Sequence, residues 1–218
     1  MPSKVFGDHA SEYDAWYDTE AGGAIFSMEV DCLKSLLHIY SRPYLEVGVG
    51  SGRFAQALGI EMGIDTSINM LVLARKRDIS VLLARGENEC FKSEVFGTVF
   101  LIVTLCFVDS PLAVLYEANR ILKAGGKLVL GLVLRDSPWG QFYLAKKQEG
   151  HRFYKHATFY SFEELSRFLE ATGFAIENIA STLFQRPGGV VDLEAPQNGL
   201  SVAAGFTVVV AGKTAASG

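Results

Sequence analysis

A chain of 218 residues that is 49% hydrophobic and 20% charged is long enough for one domain with its own core, and too apolar for a disordered or fibrous protein. Its formal net charge is −4 and its basic residues are scattered, which argues against a nucleic-acid footprint. Cys32, Cys90 and Cys106 show no CxxC spacing, so neither a disulfide framework nor a zinc site is indicated.

The N-terminus, Met1 to Asp18, alternates polar and aromatic residues and lacks the apolar core of a signal peptide. Ala24 to Tyr40 places Ile25, Met28, Leu33, Leu36 and Leu37 at helical spacing, and Pro43 ends that lead-in helix. Tyr44 to Val47 reads as a strand, followed by a glycine cluster, a short helix and a strand at Met62 to Asp65. Ser67 to Arg77 reads as helix and Val81 to Ala84 as strand. Thr98 to Leu105 is a continuous apolar strand covered on both faces. The whole stretch Val99 to Val108 falls short of the roughly 18 residues that span a bilayer, and the expected location is cytoplasmic. A helix at Pro111 to Leu122, a Gly125-Gly126 turn and a strand at Lys127 to Leu134 complete the alternation, which predicts a parallel sheet with right-handed crossovers.

Arg135 to Tyr160 has no clean period but carries Trp139, Phe142, Tyr143, Phe153, Tyr154, Phe159 and Tyr160, as a cap would. Ser161 and Glu164 form a capping box for a helix to about Ala171, with Gly173 where a left-handed C-terminal residue belongs. Strands at Phe174 to Leu183 and Ala203 to Ala211 flank a Pro- and Gly-rich segment from Arg186 to Ser201. The expected fold is a Rossmann-like three-layer α/β sandwich with a mostly parallel seven-strand sheet and an antiparallel last strand. Residues 1–211 form one domain, 135–160 its substrate cap, and 212–218 a disordered tail.

The chemistry sits in Glu46-Val47-Gly48-Val49-Gly50-Ser51-Gly52. The first crossover turn of an open α/β sheet is where its ligand lies, and alternate glycines let the backbone approach that ligand. A dinucleotide site would place a glycine where Arg53 stands, so the pyrophosphate fingerprint fails. Asp65, ending the second strand, is placed to accept from both ribose hydroxyls. The loop is read as binding a nucleoside without a pyrophosphate.

ExGxGxG at 46–52, Gly63-Ile64-Asp65, Gly86-Glu87 and Arg120-Ile121-Leu122-Lys123-Ala124-Gly125-Gly126 together resemble the class I S-adenosylmethionine-dependent methyltransferases. Glu12-Tyr13-Asp14-Ala15-Trp16-Tyr17 and Thr104-Leu105-Cys106-Phe107-Val108 are similar to the UbiE-like, small-molecule branch, and the likeness runs from about residue 6 to 211. It implies S-adenosylmethionine as cofactor and in-line methyl transfer to a small-molecule N, O or S nucleophile. A non-catalytic S-adenosylmethionine-binding protein is the alternative.

The resemblance further implies that Gly48, Gly50 and Gly52 line the methionine part of the cofactor, with Glu46 at its ammonium end. Asp65 would hold the ribose, with Thr66 beside it and Met70 near the adenine. Gly86 would offer its N–H to an adenine ring nitrogen, and Glu87 suits a cationic cofactor. Thr104 and Leu105 would sit under the sulfonium. Tyr13 and Tyr17 would belong to an N-terminal lid within residues 1–42. Arg85 stands where many relatives carry an Asp that accepts from the adenine amino group, and arginine accepts no hydrogen bond. Gly97 replaces another acidic residue, at an expected modest cost in loop order.

No catalytic base is assigned, because an amine or thiol needs none; His151 and His156 in the cap are candidates. Cys106 reads as a small buried hydrophobe. Tyr143 and Lys147 form the YxxxK pair of short-chain dehydrogenases, which would require a nicotinamide loop with wider glycine spacing nearer the N-terminus. The expected partner is a small-molecule acceptor, with no metal, nucleic acid or membrane, and the chain is expected to be a monomer or homodimer.

Overall fold

In the computed structural model, which describes residues 2–189 and 192–214, two short helices, α1 (Pro2–Asp8) and α2 (Ala10–Trp16), lead into α3 (Glu20–Ser35). The Thr19 hydroxyl caps α3 by accepting from the Gly22 amide at 3.0 Å. Ile25, Met28, Cys32 and Leu33 form its buried stripe. A 3₁₀ turn, Leu37–Ile39, takes the place of the last helical turn expected before Pro43.

The alternating region follows as β1 (Tyr44–Val47), α4 (Arg53–Leu58), β2 (Met62–Asp65), α5 (Ile68–Arg75), β3 (Ser80–Leu83), β4 (Phe96–Ile102), α6 (Pro111–Ile121) and β5 (Leu122–Leu132). Beyond it lie α7 (Pro138–Gln148), α8 (Phe162–Ala171), β6 (Phe174–Thr182), β7 (Gln197–Asn198) and β8 (Phe206–Lys213). The sheet order is β3-β2-β1-β4-β5-β8-β6-β7. Strands β1 to β5 pair parallel, with Leu45 level with Met62 on one side and Val99 on the other. Strand β8 runs antiparallel between β5 and β6. Every residue of β4 is buried, because helices cover both faces of the sheet. One face buries Leu33, Phe54, Phe100, Val208 and Val210, and the other Leu45, Val99, Leu101, Leu115 and Val209.

Four expectations are corrected. The sheet has eight strands rather than seven; the added one, β7, is a two-residue exposed edge pairing with Ala180 and Ser181, too short to show an alternating pattern. The segment 135–160 holds a regular helix, α7, capped by the Ser137 hydroxyl accepting from the Gly140 amide at 3.0 Å. Its buried residues are Trp139 and Gly140, so it lacks the apolar stripe that betrays a helix. Gly212 and Lys213, expected in a disordered tail, complete β8, and the Thr214 amide bonds Gly173 O at 2.9 Å; residues 215–218 lie outside the described residues. Gly97 costs no order: it lies inside β4, where a Cβ would come within 2.3 Å of Ser41 O. The capping box of α8 and the left-handed Gly173 at φ 78° are as expected.

Candidate active site

The carboxyl ends of β1, β2, β3 and β4 open into one cleft of about 1120 Å3, its solvent mouth included. Its floor is the glycine loop. The Gly48 and Val49 amides both bond Ile64 O, at 2.8 and 2.9 Å, which folds the loop back over β2. Gly48 has φ 76°, and a Cβ there would sit 2.3 Å from Thr104 Cγ2. Only glycine satisfies both the left-handed backbone and that contact. Val103, also lining the cleft, holds φ 52°, an unfavourable conformation for a β-branched residue and a local store of strain.

Asp65 ends β2 and fixes the loop with both oxygens: Oδ2 accepts from the Gly50 amide at 2.9 Å and Oδ1 from the Ser67 amide at 2.8 Å. Burial raises its pKa, while the Ser67, Gly50 and Thr66 backbone pulls the other way. A carboxylate has about four acceptor sites, so two remain for a ligand. Glu46, in β1, is 1% exposed and its Oε2 is buried without a partner. Burial holds its pKa well above the carboxylate range, and nearby Asp65 adds to that. Glu87 Oε1 is likewise buried and unpartnered. Arg85 turns to the mouth instead, pairing with Asp109 at 2.5 Å and Glu87 at 3.5 Å. Buried polar atoms without partners are uncommon, and two carboxylate oxygens in one cleft fit a ligand that brings N–H donors and positive charge.

Helices α1 and α2 roof the cleft through Phe6, Tyr13 and Tyr17. Tyr13 and Tyr17 share a hydroxyl bond of 3.2 Å, and Phe6 packs on Phe107 and Phe153 at 5.0 and 5.2 Å. The roof is tied to the floor by Asp14, which meets Arg53 Nε at 2.8 Å and Arg77 Nη2 at 2.9 Å, while Arg77 Nη1 donates to Ser51 O at 2.8 Å. Burial opposes ionisation of Asp14, but its bonds with Arg53, Ser51 and Arg77 win and hold its pKa down at about 2. Asp14, Arg53 and Arg77 escaped the sequence reading because no spacing joins positions so far apart.

Of the residues singled out in the sequence, Glu46, Gly48, Gly50, Asp65, Thr66, Met70, Gly86, Glu87, Thr104 and Tyr17 all line the cleft. Gly52 and Leu105 do not. Gly52 is the N-cap residue of α4, where a Cβ would come within 3.0 Å of Ala74, and Leu105 is a core residue 3% exposed. No residue of 135–160 lines the cleft; the cap reaches it through Phe153 on Phe6 and Tyr13. Cys106 is a poor nucleophile, since burial pushes its thiol up to about 12. His151 stacks on Tyr154 at 4.7 Å, and burial lowers the pKa of both His151 and His156. Lys147 Nζ donates to Ala157 O at 2.6 Å and Tyr143 sits among aromatic rings, so the YxxxK pair has a packing role. No cluster of metal-ligating side chains occurs among the described residues, and none of their helices is long and apolar enough to cross a membrane.

A methyltransferase-domain family model matches residues 45–130, from β1 to the centre of β5. The chain is 35% identical to a crystallised S-adenosylmethionine-dependent methyltransferase of Thermotoga maritima, described as a possible histamine N-methyltransferase. The TM-score is 0.91 over 98% of this chain and 100% of that one. It is also 41% identical over 213 residues to an uncharacterised protein of Mycobacterium tuberculosis, covering 97% of this chain and 75% of the relative. An uncharacterised protein of Methanocaldococcus jannaschii is 40% identical over 181 residues, covering 83% of this chain and 86% of the relative. The chain belongs to the S-adenosylmethionine-dependent methyltransferases. It is an enzyme of the Rossmann-like class I fold, and its cofactor is S-adenosylmethionine.

Proposed function

We propose that the protein transfers the methyl group of S-adenosylmethionine to a nitrogen, oxygen or sulfur atom of a small molecule held beneath α1 and α2. The observation that carries the reading is the roof: Phe6, Tyr13 and Tyr17 close over the same cleft that Asp65 and Glu46 line, leaving space suited to a compact acceptor. The designation of the Thermotoga relative, a possible histamine N-methyltransferase, agrees with an acceptor of that size.

In this reading Glu46 takes the ammonium end of the cofactor and the two spare acceptor sites of Asp65 take the ribose hydroxyls. Met70 packs near the adenine, the Gly86 N–H meets a ring nitrogen, and Glu87 Oε1 accepts from the amino group in place of Arg85. Thr104 lies by the sulfonium. The bound cofactor supplies an already electrophilic methyl group. The chain's residues align the acceptor about 3 Å from it and keep water out. The carboxylates favour the cationic cofactor over its neutral demethylated product, which aids release. Incubation with methyl-labelled cofactor and a metabolite panel tests the assignment, and label should appear in a small molecule. Label reaching transfer RNA or protein, and no metabolite, would overturn it.

A further inference from the structure

One edge of the sheet is β3, Ser80–Leu83, which pairs with β2 alone. The Ser80 and Ala84 amides turn inward, donating to Glu61 O and Asp65 O at 3.0 Å. Alternation along the strand therefore turns the N–H and C=O of Val81 and Leu83 outward, away from β2. An edge of this kind invites another strand, and proteins commonly block it with charge, proline or a bulge. Ser-Val-Leu-Leu at 80–83 carries neither charge nor proline, and its register with β2 runs without a bulge.

The side chains are as open as the backbone. Leu82 is 42% and Leu83 55% exposed, one on each face of the sheet. Val81 packs on the cluster that holds Leu71 and Ala74 of α5, so Leu83, two residues on, stands on the α5 side. Helix α5 packs across β3 and presents Ile68 and Val72, one turn apart, at 59% and 49% exposure. Single exposed apolar residues are ordinary, whereas four on two adjacent elements mark a contact surface.

We propose that the protein is a homodimer in which the β3 strands of two copies pair antiparallel about a twofold axis. The edge is complementary to itself. Centred on Leu82, the pairing sets Leu82 opposite the partner's Leu82 and Val81 opposite the partner's Leu83, so every opposed pair is apolar. The outward N–H and C=O of Val81 then bond those of the partner's Leu83, and the reverse holds across the axis. Charge fixes the same direction. At the amino end of β3, Arg77 is taken up by Asp14, and the exposed Arg75 and Lys76 outweigh Asp78. At the carboxyl end Glu87 and Asp109 share Arg85, and the exposed Glu89 adds to the acidic excess. Antiparallel pairing brings the basic end of each copy to the acidic end of the other, whereas parallel pairing would oppose like charges.

Sedimentation of the purified chain over a concentration series tests the pairing. The wild type should run as a dimer that dissociates on dilution. Leu82→Lys and Leu82→Glu should each raise the dimer dissociation constant at least about tenfold, because like charges then face each other across the axis. Mixed in equal amounts, the two variants should form a heterodimer, since only a register that sets residue 82 against itself joins Lys to Glu. Leu82 is not among the residues lining the cleft, so S-adenosylhomocysteine affinity of the variants should stay within about twofold of the wild type. If either variant fails to fold, hydrogen exchange on the wild type decides: the Val81 and Leu83 amides should exchange slowly in concentrated protein and rapidly on dilution. A wild type that is monomeric throughout, variants that stay dimeric, a mixture that stays monomeric, or rapid exchange of both amides in concentrated protein overturns the proposal.

Discussion

On the glycine-loop side of the cleft the polar contacts come from strand ends and the turns that follow them. The Gly48 and Val49 amides are spent on Ile64 O, and Asp65 ties Gly50 to Ser67. On the roof side α1, α2 and Tyr17 close the cleft, and side chains carry the contacts: Phe6 on Phe107 and Phe153, Tyr13 on Tyr17, and Asp14 between two arginines. A backbone-built end is held by the sheet itself and tolerates little change. A side-chain-built end can be altered residue by residue, which is how one scaffold keeps its cofactor while its acceptor varies.

Asp65→Ala should break that division most sharply, since it strips the Gly50 and Ser67 amides of their acceptor and, in the proposed reading, the ribose of its partner. At roughly 1 kcal/mol per lost hydrogen bond, S-adenosylhomocysteine affinity should fall about 100-fold by calorimetry, with the roof contacts of Tyr13 and Tyr17 intact. Gly48→Ala comes next. The new Cβ strikes Thr104 and forces a left-handed alanine, costing about 2 kcal/mol and several degrees in Tm, and adding Thr104→Ala should recover part of the loss.

Asp14→Asn probes the other end and should have a smaller effect, about 1 kcal/mol, seen as faster release of S-adenosylhomocysteine. Its pH dependence is fixed in sign. The folded pKa of about 2 lies below the ordinary 3.8, so the stabilisation is present above about pH 4 and disappears as pH falls toward 2; thermal denaturation of the two proteins should converge there. Arg85→Ala should do least, because its pairs with Asp109 and Glu87 lie at the solvent-facing mouth. Its side chain is 42% exposed and that of Asp109 60%, and such pairs contribute about 0–1 kcal/mol. A change in cofactor affinity beyond about threefold would move Arg85 into the adenine contacts.

Much of the nucleoside end was legible in the sequence. The loop at 46–52, the strand ends at Val47 and Asp65 and the capping box at Ser161 depend on residues within a few positions of one another, and local backbone chemistry makes such patterns readable. Gly97 shows the opposite case. The missing acidic side chain is visible in the sequence, yet the reason for it, the Ser41 carbonyl occupying that space, lies on a different segment. The same holds for α7, whose faces are set by Gln185 and by the rings of Tyr154 and Phe159 rather than by its own period.

The amino-acid sequence alone therefore determined the alternation of strands and helices from β1 to β5, the glycine loop and the acid at the end of β2. It did so because turn geometry, capping and apolar periodicity act over one or two helical turns. Only the tertiary structure decided that Asp14 faces Arg53 and Arg77, that Leu105 belongs to the core, and that Glu46 and Glu87 hold buried carboxyl oxygens without partners. Burial and charge pairing arise where distant segments pack together, and no spacing along the chain encodes which segments those are.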